Sequence, residues 1–175
     1  MKILAIRGNN LASLAGEFEV DFQIEPLASA GVFAITGPTG AGKSTLLDAL
    51  SLALFHDTPR LMSASEKGVD IPDVADKSIT PRDPRNILRR GAGEGHAEVD
   101  FVGLNGERWR ARWEVRRARG KPDGALQQAR ASFENLDRNE QHGGKIRETR
   151  ESIEKETGLS YAQFCRSILL AQNEF

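Results

Sequence analysis

Apolar and polar residues alternate strictly from residue 17 to 24, where Phe18, Val20, Phe22 and Ile24 fall between Glu17, Glu19, Asp21 and Gln23. A period of two predicts a strand with one buried face, and Lys2 to Arg7 reads as the strand before it. Val32-Phe33-Ala34-Ile35-Thr36 is an unbroken apolar, partly β-branched run ending at a glycine. It predicts a short buried strand. From Lys43 to Phe55 the period lengthens: Leu46, Leu47, Leu50 and Leu54 recur at helical spacing, and neither Gly nor Pro intervenes before Pro59.

Between His56 and about residue 95, Pro59, Pro72, Pro81 and Pro84 exclude a long helix and predict a surface excursion. Three strand-like segments follow, at 96–102, 107–116 and 128–135. Asn105-Gly106 marks the first turn between them and Lys121-Pro122-Asp123-Gly124 the second. Along the middle segment Trp109, Ala111, Trp113 and Val115 share one face, predicted as core, while Arg108, Arg110, Arg112, Glu114 and Arg116 share the other. Lys145 to Thr157 predicts a charged helix with a Glu151–Lys155 pair, closed by Gly158. Ser160 and Gln163 form a capping box for a last helix running through Phe164, Ile168 and Leu169.

Composition adds few constraints. A chain of 175 residues, 39% hydrophobic and 28% charged, fits one globular domain and excludes a disordered or fibrous one. Cys165 is the only cysteine, which excludes an internal disulfide and a cysteine-rich zinc site and suits a reducing cytoplasm. No apolar run reaches membrane-spanning length, and Met1 to Ile6 is too short for a signal peptide, so the expectation is a cytoplasmic chain with no membrane partner. Net charge is only −1, but Arg82 to Lys121 holds eleven Lys and Arg against six Asp and Glu. Any attraction to nucleic acid is therefore local.

The strongest chemical signal is Gly37-Pro38-Thr39-Gly40-Ala41-Gly42-Lys43-Ser44, a full G-x-x-x-x-G-K-[ST] phosphate loop set between a predicted strand and a predicted helix. The glycines let the backbone curl until successive N–H groups point at phosphate oxygens, and the helix adds its positive dipole end. In this pattern Lys43 reaches the β and γ phosphates of ATP, Ser44 offers its hydroxyl to magnesium, and Thr45 supports the α phosphate. The loop alone does not choose among ATPase, GTPase and kinase. An Asn-Lys-x-Asp guanine-reading motif is absent, and the only imitation of a nucleotide-kinase lid is Arg89-Arg90.

Longer stretches carry a resemblance. Phe33 to Ala49 and Leu52 to Leu61 are similar to the phosphate loop and following helix of the SbcC family, the ABC-type ATPase subunits of bacterial DNA-repair nucleases. Gly158 to Phe164 and Ser167 to Phe175 are similar to that family's Q-loop region. The resemblance implies an α/β P-loop NTPase fold of the ABC-ATPase type, with a mixed sheet plus an antiparallel β portion, and residues 1–175 as the N-terminal ATP-binding lobe. It implies that Gln172 binds magnesium and orients the attacking water. It also implies the partners: an SbcD-type nuclease, a second ATPase head, double-stranded DNA, and a C-terminal lobe reached through a coiled coil with a zinc hook. The catalytic pair would then be Lys43 and Gln172, with efficient hydrolysis only when the other lobe is present.

Two places depart from the family pattern: Asn173 follows the glutamine where glycine is usual, and Asn10-Leu11-Ala12-Ser13 stands just after the first strand, where archaeal and eukaryotic relatives place an arginine near the nucleotide. Arg108, Arg110, Arg112 and Arg116 are candidate DNA phosphate contacts, with a solvated, partly paired strand face as the alternative. Rival functions are an SMC-like structural clamp on DNA and a small-molecule kinase. His56, His96 and His142 lack partners at ligand spacing and read as structural or exposed. Cys165 reads as a packed residue and Asp48 as a packing or polar-face residue, not a catalytic acid.

Overall fold

A computed structural model describes residues 1–62, 69–74 and 77–167. The first strands form an antiparallel pair, β1 (Lys2–Leu11) and β2 (Leu14–Asp21). A loop then leads to helix α1 (Lys43–Phe55) and the short α2 (Pro59–Met62). Strands β3 (Ile71–Pro72) and β4 (Ser78–Ile79) make a separate two-stranded ribbon. Strands β5 (Glu94–Val102), β6 (Arg108–Arg116), β7 (Arg130–Asn135) and β8 (Glu140–His142) follow, then helices α3 (Ile146–Thr157) and α4 (Tyr161–Ser167). The main sheet has the order β2-β1-β5-β6-β7-β8, and every described pairing in it is antiparallel.

One sheet face is the core. Val99 and Phe101 of β5 and Trp109, Ala111, Trp113 and Val115 of β6 are closed to solvent on the side of the sheet that α1 covers, and Phe133 of β7 is closed to solvent where α3 packs. Trp109 stacks on Phe133 at 4.6 Å between ring centroids, and Phe55 of α1 meets Phe164 of α4 at 4.9 Å. Ile153 of α3 is also fully buried. Each of the larger side chains contributes about 1.5–3 kcal/mol of apolar burial, which is why the tryptophan face of β6 decides which way the sheet turns.

The opposite face is ionic. Asp100 accepts from Arg110 at 2.7 Å and from Arg7 at 2.8 Å, Glu98 accepts from Arg112 at 3.1 Å, and Glu19 accepts from Arg7 at 2.7 Å. Arg108 is paired with Asp137 at 2.7 Å.

The α/β class expected from sequence holds, with differences in detail: every described pairing of the main sheet is antiparallel where a mixed sheet is expected, and β2 ends at Asp21, leaving Ile24 exposed. Val32 to Thr36 is not a strand and is not buried: Val32 is 92% exposed, and Phe33 and Ile35 are about half exposed. A strand needs a hydrogen-bonding neighbour, and among the described residues none lies beside this segment. It borders an open apolar groove of about 700 Å³ lined by Ile6, Phe22, Phe33, Ile35, Leu46 and Leu50, and Phe33 meets Phe22 at 5.3 Å. On α3 the ion pairs are Arg147–Glu151 and Arg150–Glu154, not Glu151–Lys155. Gly158 closes that helix at φ 71, and Ser160 and Gln163 make the predicted capping box, with Ser160 N–H donating to Gln163 Oε1 at 2.9 Å. Ile168, Leu169, Gln172 and Asn173 lie outside the described residues.

Candidate nucleotide-binding site

Residues 37–44 form the turn that opens α1. Gly37, Gly40 and Gly42 all have positive φ, at 153°, 84° and 93°, and Gly42 is the residue from which the helix starts. Side-chain-bearing residues rarely adopt such backbone, so the curl depends on these positions being glycine. Ala41 N–H donates to Pro38 O at 3.2 Å, and Thr45 N–H donates to Gly42 O at 2.9 Å. Among the described residues no hydrogen bond takes the N–H groups of Gly40 or Gly42. Lys43 folds back over the loop, its Nζ donating to Gly37 O at 2.7 Å and Pro38 O at 2.9 Å. Ser44 is exposed at the helix start, whereas Thr45 is buried.

Space around Gly42 is closed by the β1–β2 turn. A Cβ added at Gly42 would stand 2.4 Å from Leu14 Cδ2. The Ser13 hydroxyl lies 3.2 Å from Thr45 Oγ1. The turn is strained at Ala12, which holds φ 44°, a conformation costing such a residue roughly 1–2 kcal/mol, while Asn10 at φ 50° is a residue type that tolerates this region. Bonds from the 87–94 segment hold it: Ala12 N–H to Ile87 O at 2.8 Å, Arg89 N–H to Asn10 O at 2.9 Å, and Asn10 Nδ2 to Glu94 O at 3.2 Å. Arg89 Nη1 completes the set, donating to Ser13 O at 2.9 Å and Ala12 O at 3.1 Å. Arg89 is therefore no kinase-like lid. Its role is invisible in sequence because the contact spans 76 residues.

The middle and the far end of α1 are anchored by polar groups. Asp48 is 4% exposed, accepts from Thr58 Oγ1 at 2.5 Å and pairs with Arg60. Burial pushes its carboxyl up, against the opposing pull of Thr58 and Arg60. His56 ends the helix at φ 60, is 7% exposed, and among the described residues neither ring nitrogen has a hydrogen-bond partner. Burial, then the nearby Arg150 charge, lowers it to about 4, so it is neutral at physiological pH. Cys165 is buried on α4. Among the described residues no group of three or more His, Cys, Asp or Glu is arranged to hold a metal.

The chain matches a known family model, described as AAA domain, over residues 5–175. The chain belongs to the AAA domain family. This AAA domain is 58% identical, over its whole length, to the SbcC subunit of nuclease SbcCD from Pseudomonas aeruginosa, of which it spans 14%. It is 49% identical to the SbcC subunit from Rhodobacter capsulatus, again over its whole length and 14% of the relative. Against the SbcC subunit from Deinococcus radiodurans it is 30% identical over 82% of this chain and 13% of the relative. The AAA domain thus spans about a seventh of the curated relatives that it matches.

The fold brings Gly37 to Thr45 together at one helix start. Arg108, Arg110, Arg112 and Arg116 sit well apart from that loop's sequence, on β6, and three of them carry carboxylate partners. Arg116 is exposed and has no ion pair among the described residues. No helix among the described residues is long and apolar enough to cross a membrane.

Proposed function

We propose that this chain is the ATP-binding lobe of an SbcC-like ATPase. In the intact protein it hydrolyses ATP to govern a partner nuclease that processes DNA ends, hairpins and double-strand breaks. The observation that supports this most is the glycine turn at residues 37–42 opening directly onto α1, with Lys43 folded across it. Amides with no internal partner, a helix dipole and an ammonium group together suit a triphosphate. Phosphate oxygens would replace Gly37 O and Pro38 O as the Lys43 partners. Gly37 to Thr45 would cradle the phosphates, Pro38, Thr39 and Ala41 contributing backbone.

The exposed Ser44 hydroxyl at the helix start suits a magnesium ligand, with Gln172 as the second ligand and the residue that orients the attacking water. Bound magnesium would supply charge neutralisation between the β and γ phosphates. Residues around the turn fit such a group because the loop is open above Ser44 and closed beneath Gly42 by Leu14.

Double-stranded DNA, an SbcD-type nuclease, a second ATPase head and a C-terminal lobe are the proposed partners. Arg116 is the best placed of the four β6 arginines for a phosphate, because Arg108, Arg110 and Arg112 are already neutralised locally. Titration of the intact protein with a fluorescent ATP analogue tests the reading. The wild type should bind with magnesium, Lys43→Ala should bind at least tenfold more weakly, and Gln172→Ala should bind but turn over slowly. Equal binding by wild type and Lys43→Ala would overturn it.

A further inference from the structure

We propose that Arg89 is a positioning residue for the nucleotide, acting through the β1–β2 turn. This rests on the ATP-binding reading of residues 37–45 and adds a residue that the phosphate-loop motif does not contain. Arg89 Nη1 donates to the carbonyls of Ala12 and Ser13, 77 and 76 residues away in sequence. Its main-chain N–H also donates to Asn10 O. Among the described residues these partners are all backbone oxygens, so its charge is not spent on a carboxylate.

What those bonds hold is a conformation the chain would otherwise leave. Asn10 and Ala12 both sit at positive φ, and at an alanine such left-handed backbone persists only where the surroundings over-determine it. The residues so fixed are the ones that touch the phosphate loop. Ser13 Oγ meets Thr45 Oγ1, and Leu14 fills the space beside Gly42. A loosened turn would free the Thr45 hydroxyl to rotate away from the phosphate and give Gly42 room to relax. The planar guanidinium suits the task better than an ammonium, because its N–H directions are fixed once the plane is packed.

The test is nucleotide affinity in the intact protein, read with fluorescent ATP and ADP analogues for wild type, Arg89→Ala, Arg89→Lys, Ser13→Ala and the Arg89→Ala/Ser13→Ala double variant. Arg89→Ala should weaken ATP and ADP by the same factor, roughly tenfold, since the α phosphate is common to both. Arg89→Lys should recover part of the loss, and melting temperature should not track the affinity change across the set. Because both residues act on one path, the double variant should lose less than the product of the two single losses.

Wild-type affinity in Arg89→Ala, or multiplicative losses in the double variant, would overturn the proposal while leaving the ATP site intact. Should Arg89→Ala fail to fold, Arg89→Lys and Ser13→Ala, with their double variant, carry the same comparison. Absence of ATP binding by the wild type would instead overturn the site itself, and this proposal with it.

Discussion

The Thr58 hydroxyl donates to Asp48 Oδ1 across 2.5 Å, with both side chains closed to solvent and Arg60 paired to the same carboxylate. This bond ties the middle of α1 to the chain that leaves it, one turn beyond the phosphate loop. Asp48→Ala would strand a buried hydroxyl and remove a counter-charge from Arg60. A loss of about 2–4 kcal/mol is expected in urea unfolding, with Thr58→Val costing less.

His56 makes stability fall with acid. The unfolded imidazole takes a proton below about 6.5, but the folded one does so only near 4, so the unfolded chain binds more protons in that window. Stability should be full above 6.5 and decline towards 4, by roughly 3 kcal/mol at most. Asp48 and Asp57, whose carboxyls burial raises, act in the opposite direction. The clean measurement is therefore a difference: His56→Asn, which tolerates the positive φ, should flatten the decline between those pH values.

Gly42 admits no side chain. Alanine there would collide with Leu14 and hold an unfavourable φ of 93°, for a combined cost of roughly 2–4 kcal/mol. Calorimetry of Gly42→Ala alone and with Leu14→Ala separates the parts: the second change should restore the steric share and leave the backbone share.

Asp100 carries the ionic face of the sheet. Burial alone would raise its carboxyl, but hydrogen bonds from Arg110 and Arg7 outweigh that and hold it below the usual value. Its contribution is present above about 3.9 and lost as pH falls through the lower folded value. Asp100→Ala should cost about 2–3 kcal/mol at neutral pH, since two half-buried guanidinium groups lose their shared partner. An unchanged urea midpoint would contradict this.

Salt dependence tests the proposed DNA face. If Arg116 alone of the β6 arginines meets a phosphate, Arg116→Ala should reduce the log–log salt slope of DNA binding by about 1. Removing all four would reduce it by about 3–4 if the paired ones also engage.

The sheet and its helices are legible in the sequence wherever periodicity is strong. The tryptophan face of β6, the helix from Lys43, the Ser160–Gln163 cap and the glycine at 158 follow from local rules. Val32 to Thr36 departs from its expected strand because an apolar run announces burial but not the neighbour that provides it. At the site, the phosphate loop is visible in sequence and its support is not. Ser13, Leu14 and Arg89 come from a turn and a segment far apart in sequence, and only left-handed backbone at Asn10 and Ala12 marks the place. The β6 arginines show the converse, since a row of like charges in sequence lies beside β5 carboxylates that pair with Arg110 and Arg112.

That network also proofreads the pairing of β5 with β6. As paired, Glu94, His96, Glu98 and Asp100 lie opposite Arg116, Glu114, Arg112 and Arg110, so each match has complementary character. Sliding one strand by a single residue would turn both tryptophans out to water. Sliding by two, which keeps them inside, would set Glu114 against Glu94 or Glu98 according to direction. Hydrophobicity thus rejects the odd misalignments and charge rejects the even ones, leaving one hairpin on which the helix can close.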